Sequence, residues 1–165
     1  MIKSLRYFIM AALAYYLSGQ LGLLLAIPPG FASAVWPASG VALACALLMG
    51  RFSGILGVGL GSFLINLGLT SESYSDFTFE AFIPSVLIAS GAMGQALLGR
   101  ILFNKYIGQF SHLDSLQEII RFVFLIAPLG CLLAATVGVS ALLDRGFISS
   151  DNVTFSWLTW WVGDT

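Results

Sequence analysis

Asp164 is the residue around which chemistry could be built in this chain. It closes the stretch "WLTWWVGDT" and stands with Trp157, Trp160 and Trp161 at i, i+3, i+4 and i+7, on one helix face. Acid–base work usually needs a second group beside the first, and the sequence sets no paired carboxylate, histidine or nucleophile near Asp164. The stripe therefore points to binding rather than to bond-breaking. Tryptophans alone would suit the headgroup level of a membrane. The aspartate argues for a different orientation. Counted from Phe155, it lies some 13 Å along a helix entering the membrane, where a carboxylate facing lipid costs about 2.5 to 3.5 kcal/mol. Asp164 is expected to face a bundle interior and to turn the deeper tryptophans inward with it.

Other reactive residue types carry less. The single histidine, His112, stands beside Asp114 with no second histidine, so it reads as a solvated loop residue and no metal site is expected. Cys45 and Cys131 lie among alanines and leucines, where a thiol serves as a small hydrophobe. The run "GVGLGS" has no lysine after it and is no phosphate loop; Gly57 and Gly61 form a close-packing pair at i, i+4. "NVT" at 152–154 fits a glycosylation acceptor but is too short to weigh, and Asp151 or Asn152 reads as a helix start. No cofactor motif is present.

The elements that hold these residues follow from composition. Hydrophobic residues make up 58% of the chain and charged residues 9%, against about 25% charged in soluble domains. The net charge of −1 leaves no basic footprint for nucleic acid. Apolar runs predict an all-α, polytopic membrane bundle of five spans plus the start of a sixth. They run from about Tyr7 to Ile27, Ala34 to Gly50, Phe52 to Thr70, Phe79 to Phe103 and Ile119 to Leu143, with the last starting near Phe155. That last run stops about halfway across the membrane, so the chain reads as a truncated domain. The first run is too long for a cleaved signal peptide. Basic residues alternate between connections. Lys3, Arg6, Arg51, Arg100, Lys105 and Arg121 fall on one side and Arg145 alone on the other, predicting a cytoplasmic N-terminus.

Between the first two runs lies "IPPGFASAVWPASGVAL", residues 27–43, uncharged and punctuated by Pro28, Pro29 and Pro37. Proline lacks an N–H and disfavours helical geometry in the preceding residue, so Pro28 and Pro29 end the first helix. By the same rule Trp36 is non-helical and Pro37 is a natural first helical residue. A helix from Pro37 to Gly50 covers roughly 20 Å, short of a core of about 30 Å. One reading makes residues 28–36 re-entrant, an extended wall of an outward-facing pocket in contact with spans one, three and six. The other starts the helix near Ser33, carries Pro37 in its first turn and leaves Trp36 as an interfacial anchor. Gln20, Ser39 and Asn66 fall at depths comparable to Asp164, and Asn66 shares its face with Ser62 and Gly59. Each could be interhelical hydrogen-bond glue; their common depth suggests a pocket. Gln95 is expected nearer the inner side, apart from it.

The chain resembles the first of the bacterial membrane-associated sensor domain (MASE-type) families. These are N-terminal input modules of histidine kinases, diguanylate cyclases and cyclic-di-GMP phosphodiesterases. The resemblance is carried by "YYLSGQLGLLLAIPPGFASAVWPASGVALACALLMG" at 15–50, "GVGLGSFLINL" at 57–67 and "WLTWWVGDT" at 157–165. It implies sensing, with Trp36, Pro37, Trp160, Trp161, Gly163 and Asp164 at characteristic positions. It also implies later spans and an output domain that this chain lacks, and no kinase or cyclase motif is present.

The expected function is thus a sensory input module of a two-component or cyclic-di-GMP signalling protein in the bacterial inner membrane. Its candidate ligand residues are Gln20, Trp36, Pro37, Ser39, Asn66, Trp157, Trp160, Trp161 and Asp164. Its expected partners are the lipid bilayer, a small-molecule or membrane-protein signal, the cytoplasmic output domain of the full-length protein and, in a homodimer, a second copy. A fragment of a small-molecule transporter is the runner-up, since broken helices and midplane polar residues also mark transport sites; a membrane enzyme ranks third. Topology gives a direct test. With Cys45 and Cys131 replaced, a cysteine at Ser75 should react with impermeant reagent from outside and one within 104–118 only after the inner face is opened. Labelling of position 75 from the inside alone would reverse the orientation.

Overall fold

The computed structural model describes residues 2–27, 32–70, 79–108 and 113–165. They form an all-α bundle of α1 (Ile2–Leu23), α2 (Pro37–Leu48), α3 (Ser53–Thr70), α4 (Phe79–Tyr106), α5 (Leu116–Arg121), α6 (Ala127–Asp144) and α7 (Val153–Asp164). A single π-helical turn, Phe122–Ile126, joins α5 to α6. Among the described residues the other regular elements are a 3-10 turn, Ser150–Asn152, ahead of α7 and a two-residue antiparallel pairing of β1 (Ala26–Ile27) with β2 (Ala32–Ser33).

Element boundaries follow the backbone chemistry of the sequence. Trp36 has φ −118° and ψ 86° and Pro37 opens α2, so the helix-from-Ser33 reading is overturned and Ser33 belongs to a strand. The first helix is shorter than expected. It ends at Leu23, and the amides of Leu24 and Leu25 close tighter turns onto the carbonyls of Leu21 and Gly22. Ala26 and Ile27 are then extended, as the prolines that follow Ile27 require. Ser115 and Glu118 make a capping box that starts α5 three residues ahead of the expected Ile119. The π turn ends two residues before Pro128, whose missing N–H withdraws a donor from the regular ladder.

The helices alternate in direction. α1 and α3 run parallel at close range, with Ser4 and Ser53 hydroxyls 2.7 Å apart at one end and Gly19 facing Ile65 further along. Gly61 lets α3 approach the Ala12 carbonyl, where an added Cβ would lie 2.6 Å away, and Gly57 faces Phe8 and Ala11 likewise. This is the small-residue contact by which membrane helices gain dispersion energy without a hydrophobic drive between them. α2 lies antiparallel between them, and α4 and α6 pack antiparallel, with Phe103 and Phe122 edge to face. Arg100 donates to the Ala46 and Leu47 carbonyls at the end of α2, and Arg121 reaches the Tyr106 carbonyl at 3.1 Å. Ser4, Ser53, Arg100 and Arg121 thus mark one end of the bundle.

The core is small and the exterior large. Ala11, Ala38, Ala42, Ala46, Ala92 and Ala96 are buried, while Leu13, Leu17 and Leu21 on α1 and Leu158 and Val162 on α7 are exposed. Among the described residues, two helical stretches are long and apolar enough to cross a membrane, Ala81–Tyr106 and Leu116–Asp144. Length and composition therefore do not bear out a count of five. α2 and α3 are shorter apolar helices, and α1 is diluted by Tyr15, Tyr16, Ser18 and Gln20. His112 and the acidic stretch at 71–78 lie outside the described residues, as do residues 28–31 of the expected re-entrant segment.

The packing yields a paired test. Gly61→Leu should lower stability by about 1 to 3 kcal/mol, since the Ala12 carbonyl cannot give way. Gly40 has open space around its Cβ position, so Gly40→Ala should be neutral or gain up to about 1 kcal/mol. Thermal unfolding in detergent reads both, and equal midpoints would refute the α1–α3 contact.

Candidate functional site

The site is assembled where the extended segment meets the end of α7. The Trp36 amide donates to the Gly163 carbonyl at 2.7 Å, and the Ser33 hydroxyl donates to the carbonyls of Gly22 (2.9 Å) and Val35 (2.8 Å). Ser39, in the first turn of α2, donates to the carbonyls of Trp36 at 2.9 Å and Asp164 at 2.7 Å. Strand, α1, α2 and α7 are thereby tied through backbone groups that an apolar surrounding could not satisfy. Glycine permits the approach: a Cβ on Gly163 would collide with the Ser33 carbonyl, and one on Gly22 would sit 2.6 Å from the Trp36 ring.

Asp164 sits at the centre of this junction and is 8% exposed. Its backbone carbonyl also accepts from the Cys131 thiol at 3.2 Å. Its side chain faces Gln95 of α4, whose amide nitrogen lies 3.4 Å from the Cys131 sulfur. Asp164 Oδ1 and Gln95 Oε1 are both buried and without a hydrogen-bond partner among the described residues. No cationic side chain answers the carboxylate there. Among the described residues the one ion pair is Arg145 with Asp144, and there is no cluster of three or more metal-ligating side chains.

A cavity of ≈ 40 Å³ opens beside the carboxyl group, lined by Tyr15, Trp36, Ser39, Asn66, Gln95 and Trp160 among others. That is room for about three waters, well under the several hundred Å³ of a drug-sized ligand site. The Tyr15 and Trp36 side chains share the wall of this cavity, and the Asn66 amide donates to the Ser62 carbonyl at 2.8 Å. A second cavity of ≈ 150 Å³ lies toward the Arg100 end, lined by Leu43, Gly99, Phe122, Ile126 and Gly130. Ser39, Gln95 and Asp164 line both and so form a polar septum between them.

Several residues singled out from the sequence meet here and others do not. Trp36, Ser39, Asn66, Trp160 and Asp164 line the first cavity, with Pro37 framing it as the first residue of α2. Gln20 is half-buried and does not line it. Trp160 lies over Gly138, where a Cβ would come within 2.5 Å of the ring. Trp161 and Trp157 stack on each other with centroids 5.7 Å apart and turn to α6. Their indoles donate to the Pro128 carbonyl at 2.9 Å and the Thr136 hydroxyl at 3.1 Å. Of the two deeper tryptophans, then, only Trp160 reaches the cavity.

Gln95 corrects the sequence reading, which set it apart from the pocket. Its signal was a stripe of Ile88, Ala92, Gln95 and Gly99, one continuous buried face of α4. Tyr15, Ser33 and Cys131 were not anticipated as neighbours of the site. Tyr15 and Cys131 look like ordinary core fillers in sequence, and the role of Ser33 depends on a strand register that single-sequence patterns do not set.

One substitution tests the junction. Gly163→Ala should cost about 1 to 3 kcal/mol and expose the Trp36 amide to hydrogen exchange. An unchanged midpoint with Trp36 still protected would mean that the strand does not dock on α7.

Comparison with known proteins yields one relationship. The MASE1 family profile matches residues 7–165. No curated protein and no solved structure matches.

Proposed function

The chain belongs to the MASE1 family of membrane-associated sensor domains, and from that premise we propose that it is the membrane-integral input module of a bacterial signalling protein. The observation that carries this reading is the buried Asp164 carboxyl with an unpartnered oxygen, at a cavity where six helices and the β1–β2 pair meet. A carboxylate left uncompensated in an apolar bundle is costly, and such residues are retained where they work. The ligand residues are Trp36, Ser39, Asn66, Trp160 and Asp164, supported by their shared cavity. Pro37, Trp157 and Trp161 act around it, Pro37 by opening α2 and the tryptophans by bonding α7 to α6, and Gln20 is a further candidate by its depth on α1.

In this reading five helical runs cross the inner membrane, the sixth enters it, and the segment 32–36 lies within the membrane on its outer side. The N-terminus is cytoplasmic. What supports this is the up-and-down alternation, the apolar exterior, and the grouping of Arg100 and Arg121 at the end where Ser4 meets Ser53. The domain takes up all of residues 1–165. Later spans and an output domain follow it in the full-length protein: a histidine kinase, diguanylate cyclase or phosphodiesterase. The signal is a small molecule or another membrane protein, and homodimerisation would pair two output domains. The break before α2, facing a buried aspartate, is the observation that favours a transporter fragment instead. Flux into proteoliposomes would decide for it.

Asp164→Asn keeps size and hydrogen-bonding capacity while removing charge. In the full-length protein it should insert at normal abundance and change output. Asp164→Leu should insert too, since it removes the burial cost, and lose the response. Parental signalling from both variants across growth conditions would take Asp164 out of the sensing role; absence of both from the membrane would make it a structural residue.

A further inference from the structure

We propose that the septum of Asp164 and Gln95 is a binding site for a small monovalent cation, an alkali ion or a primary ammonium group. This rests on the sensory reading of the same cavity and supplies the class of ligand. The argument starts from atom types. The two buried side-chain atoms left without a partner, Asp164 Oδ1 and Gln95 Oε1, are both oxygens, and each residue is 8% exposed. An ionised carboxylate and an amide oxygen only accept, so what completes the site must bring donors or positive charge.

Among the described residues no donor lies within hydrogen-bond distance of either oxygen. From α1 the carboxyl group faces Tyr15, whose hydroxyl makes no hydrogen bond to it. From α2 it faces Ser39, whose hydroxyl is spent on the Trp36 and Asp164 carbonyls. From α6 comes Cys131, whose thiol donates to the Asp164 carbonyl. From α4 comes Gln95 itself; Arg100, further along that helix, is turned to the end of α2. The strand offers Ser33, committed to Gly22 and Val35. No lysine, arginine or histidine among the described residues lines either cavity.

Charge and size narrow the ligand. Divalent calcium and magnesium take six or more oxygens and usually several carboxylates. Here there is one carboxylate, and no cluster of three metal-ligating side chains among the described residues. A single negative charge balances a single positive one. The cavity of ≈ 40 Å³ lined by Asp164 and Gln95 has room for an ion with a water or two, or an ammonium group on a short carbon stem, with a small side-chain shift bringing Oδ1 to it. The rings of Trp36, Trp160 and Tyr15 in its wall are surfaces to which a desolvated cation is drawn. A proton is the competitor, since protonation of Asp164 removes the charge that holds the cation. Occupancy should therefore fall as pH falls.

The test uses the full-length protein in nanodiscs at about pH 8, where carboxylates are ordinarily ionised. Sodium, potassium and methylammonium chlorides are titrated separately against N-methylglucamine chloride at constant ionic strength, with tryptophan fluorescence as readout. At least one cation should give a saturable change whose apparent Kd rises as pH is lowered, and the identity of that cation separates alkali ion from ammonium. Asp164→Asn should weaken it at least about tenfold, and Gln95→Glu should tighten it about tenfold, a gain that misfolding cannot mimic. No saturable response to any of the three in the parental protein overturns the proposal, as does a response to pH alone or an equal Kd in Asp164→Asn. If Asp164→Asn is not recovered, the parental titration and the Gln95→Glu shift decide. Output signalling is read in parallel. Altered output in Asp164→Asn without cation binding sinks the cation site and leaves the sensory reading; cation binding with unaltered output does the reverse.

Discussion

Backbone hydrogen bonding in an apolar surrounding is the constraint on which this arrangement depends. A helix satisfies its own amides and carbonyls; an extended segment cannot, and an unpaired group there costs several kcal/mol. Residues 32 and 33 are strand and the chain stays non-helical to Trp36, so their groups must find protein partners. The Trp36 amide finds Gly163, the Trp36 carbonyl finds the Ser39 hydroxyl, and the Ser33 side chain bridges to Gly22. Each of these bonds also fixes one helix relative to another. The break between the first two apolar runs is therefore what positions α1, α2 and α7 around Asp164.

That docking is possible because the surfaces concerned have almost no side chain. Gly22 receives the Trp36 ring, Gly138 receives Trp160, and Gly163 admits the Ser33 carbonyl. Large rings seated on bare backbone bury much area at close range, which is how a bundle with an alanine-rich core gains its packing energy. The inversion of the soluble pattern follows. Leucines line the outside, where they meet lipid at no cost, and small residues line the inside, where they let helices meet. A polar septum can be held in such a core because Ser39, Gln95 and Cys131 reach it on short or flexible side chains from three separate helices.

Much of this was legible in the sequence wherever a local rule governs. Pro37 offered two starts for α2, at itself or near Ser33, and the backbone takes the one in which proline leaves the residue before it non-helical. The Gly57 and Gly61 pair marked a close helix contact for an equally local reason. Asp164 was recognisable as buried because an aspartate inside an apolar run has few affordable environments. What the sequence left open depends on rotation and register between elements. Gln95 comes level with Asp164 only through the way α4 lies against α2 and α6. Trp161 turned out to serve the Pro128 carbonyl beside the π turn, a feature invisible before backbone geometry is in hand. The end of α1 was overestimated since Leu24 to Ile27 are as apolar as a helix, and the turn at Leu24 and Leu25 and the extended state of Ala26 and Ile27 are signalled only by the prolines beyond.

The septum also bears on what kind of work the site suits. Catalysis needs a reacting atom held between an acid, a base and a charge stabiliser, whereas among the described residues no second carboxylate, histidine, lysine or arginine lines either cavity beside Asp164. Its neighbours are instead backbone carbonyls and short polar side chains contributed by α2, α4 and α6, with α7 carrying Asp164 itself. A change of charge at that point acts on the contacts of four helices together. A ligand shifts a conformational equilibrium only by the difference in its free energy with the two states. A single buried charge, unpaired in one state and neutralised in the other, is among the largest differences that a small ligand can supply. The two cavities that meet at Asp164 give the surrounding side chains room to respond, which a close-packed interior would deny them.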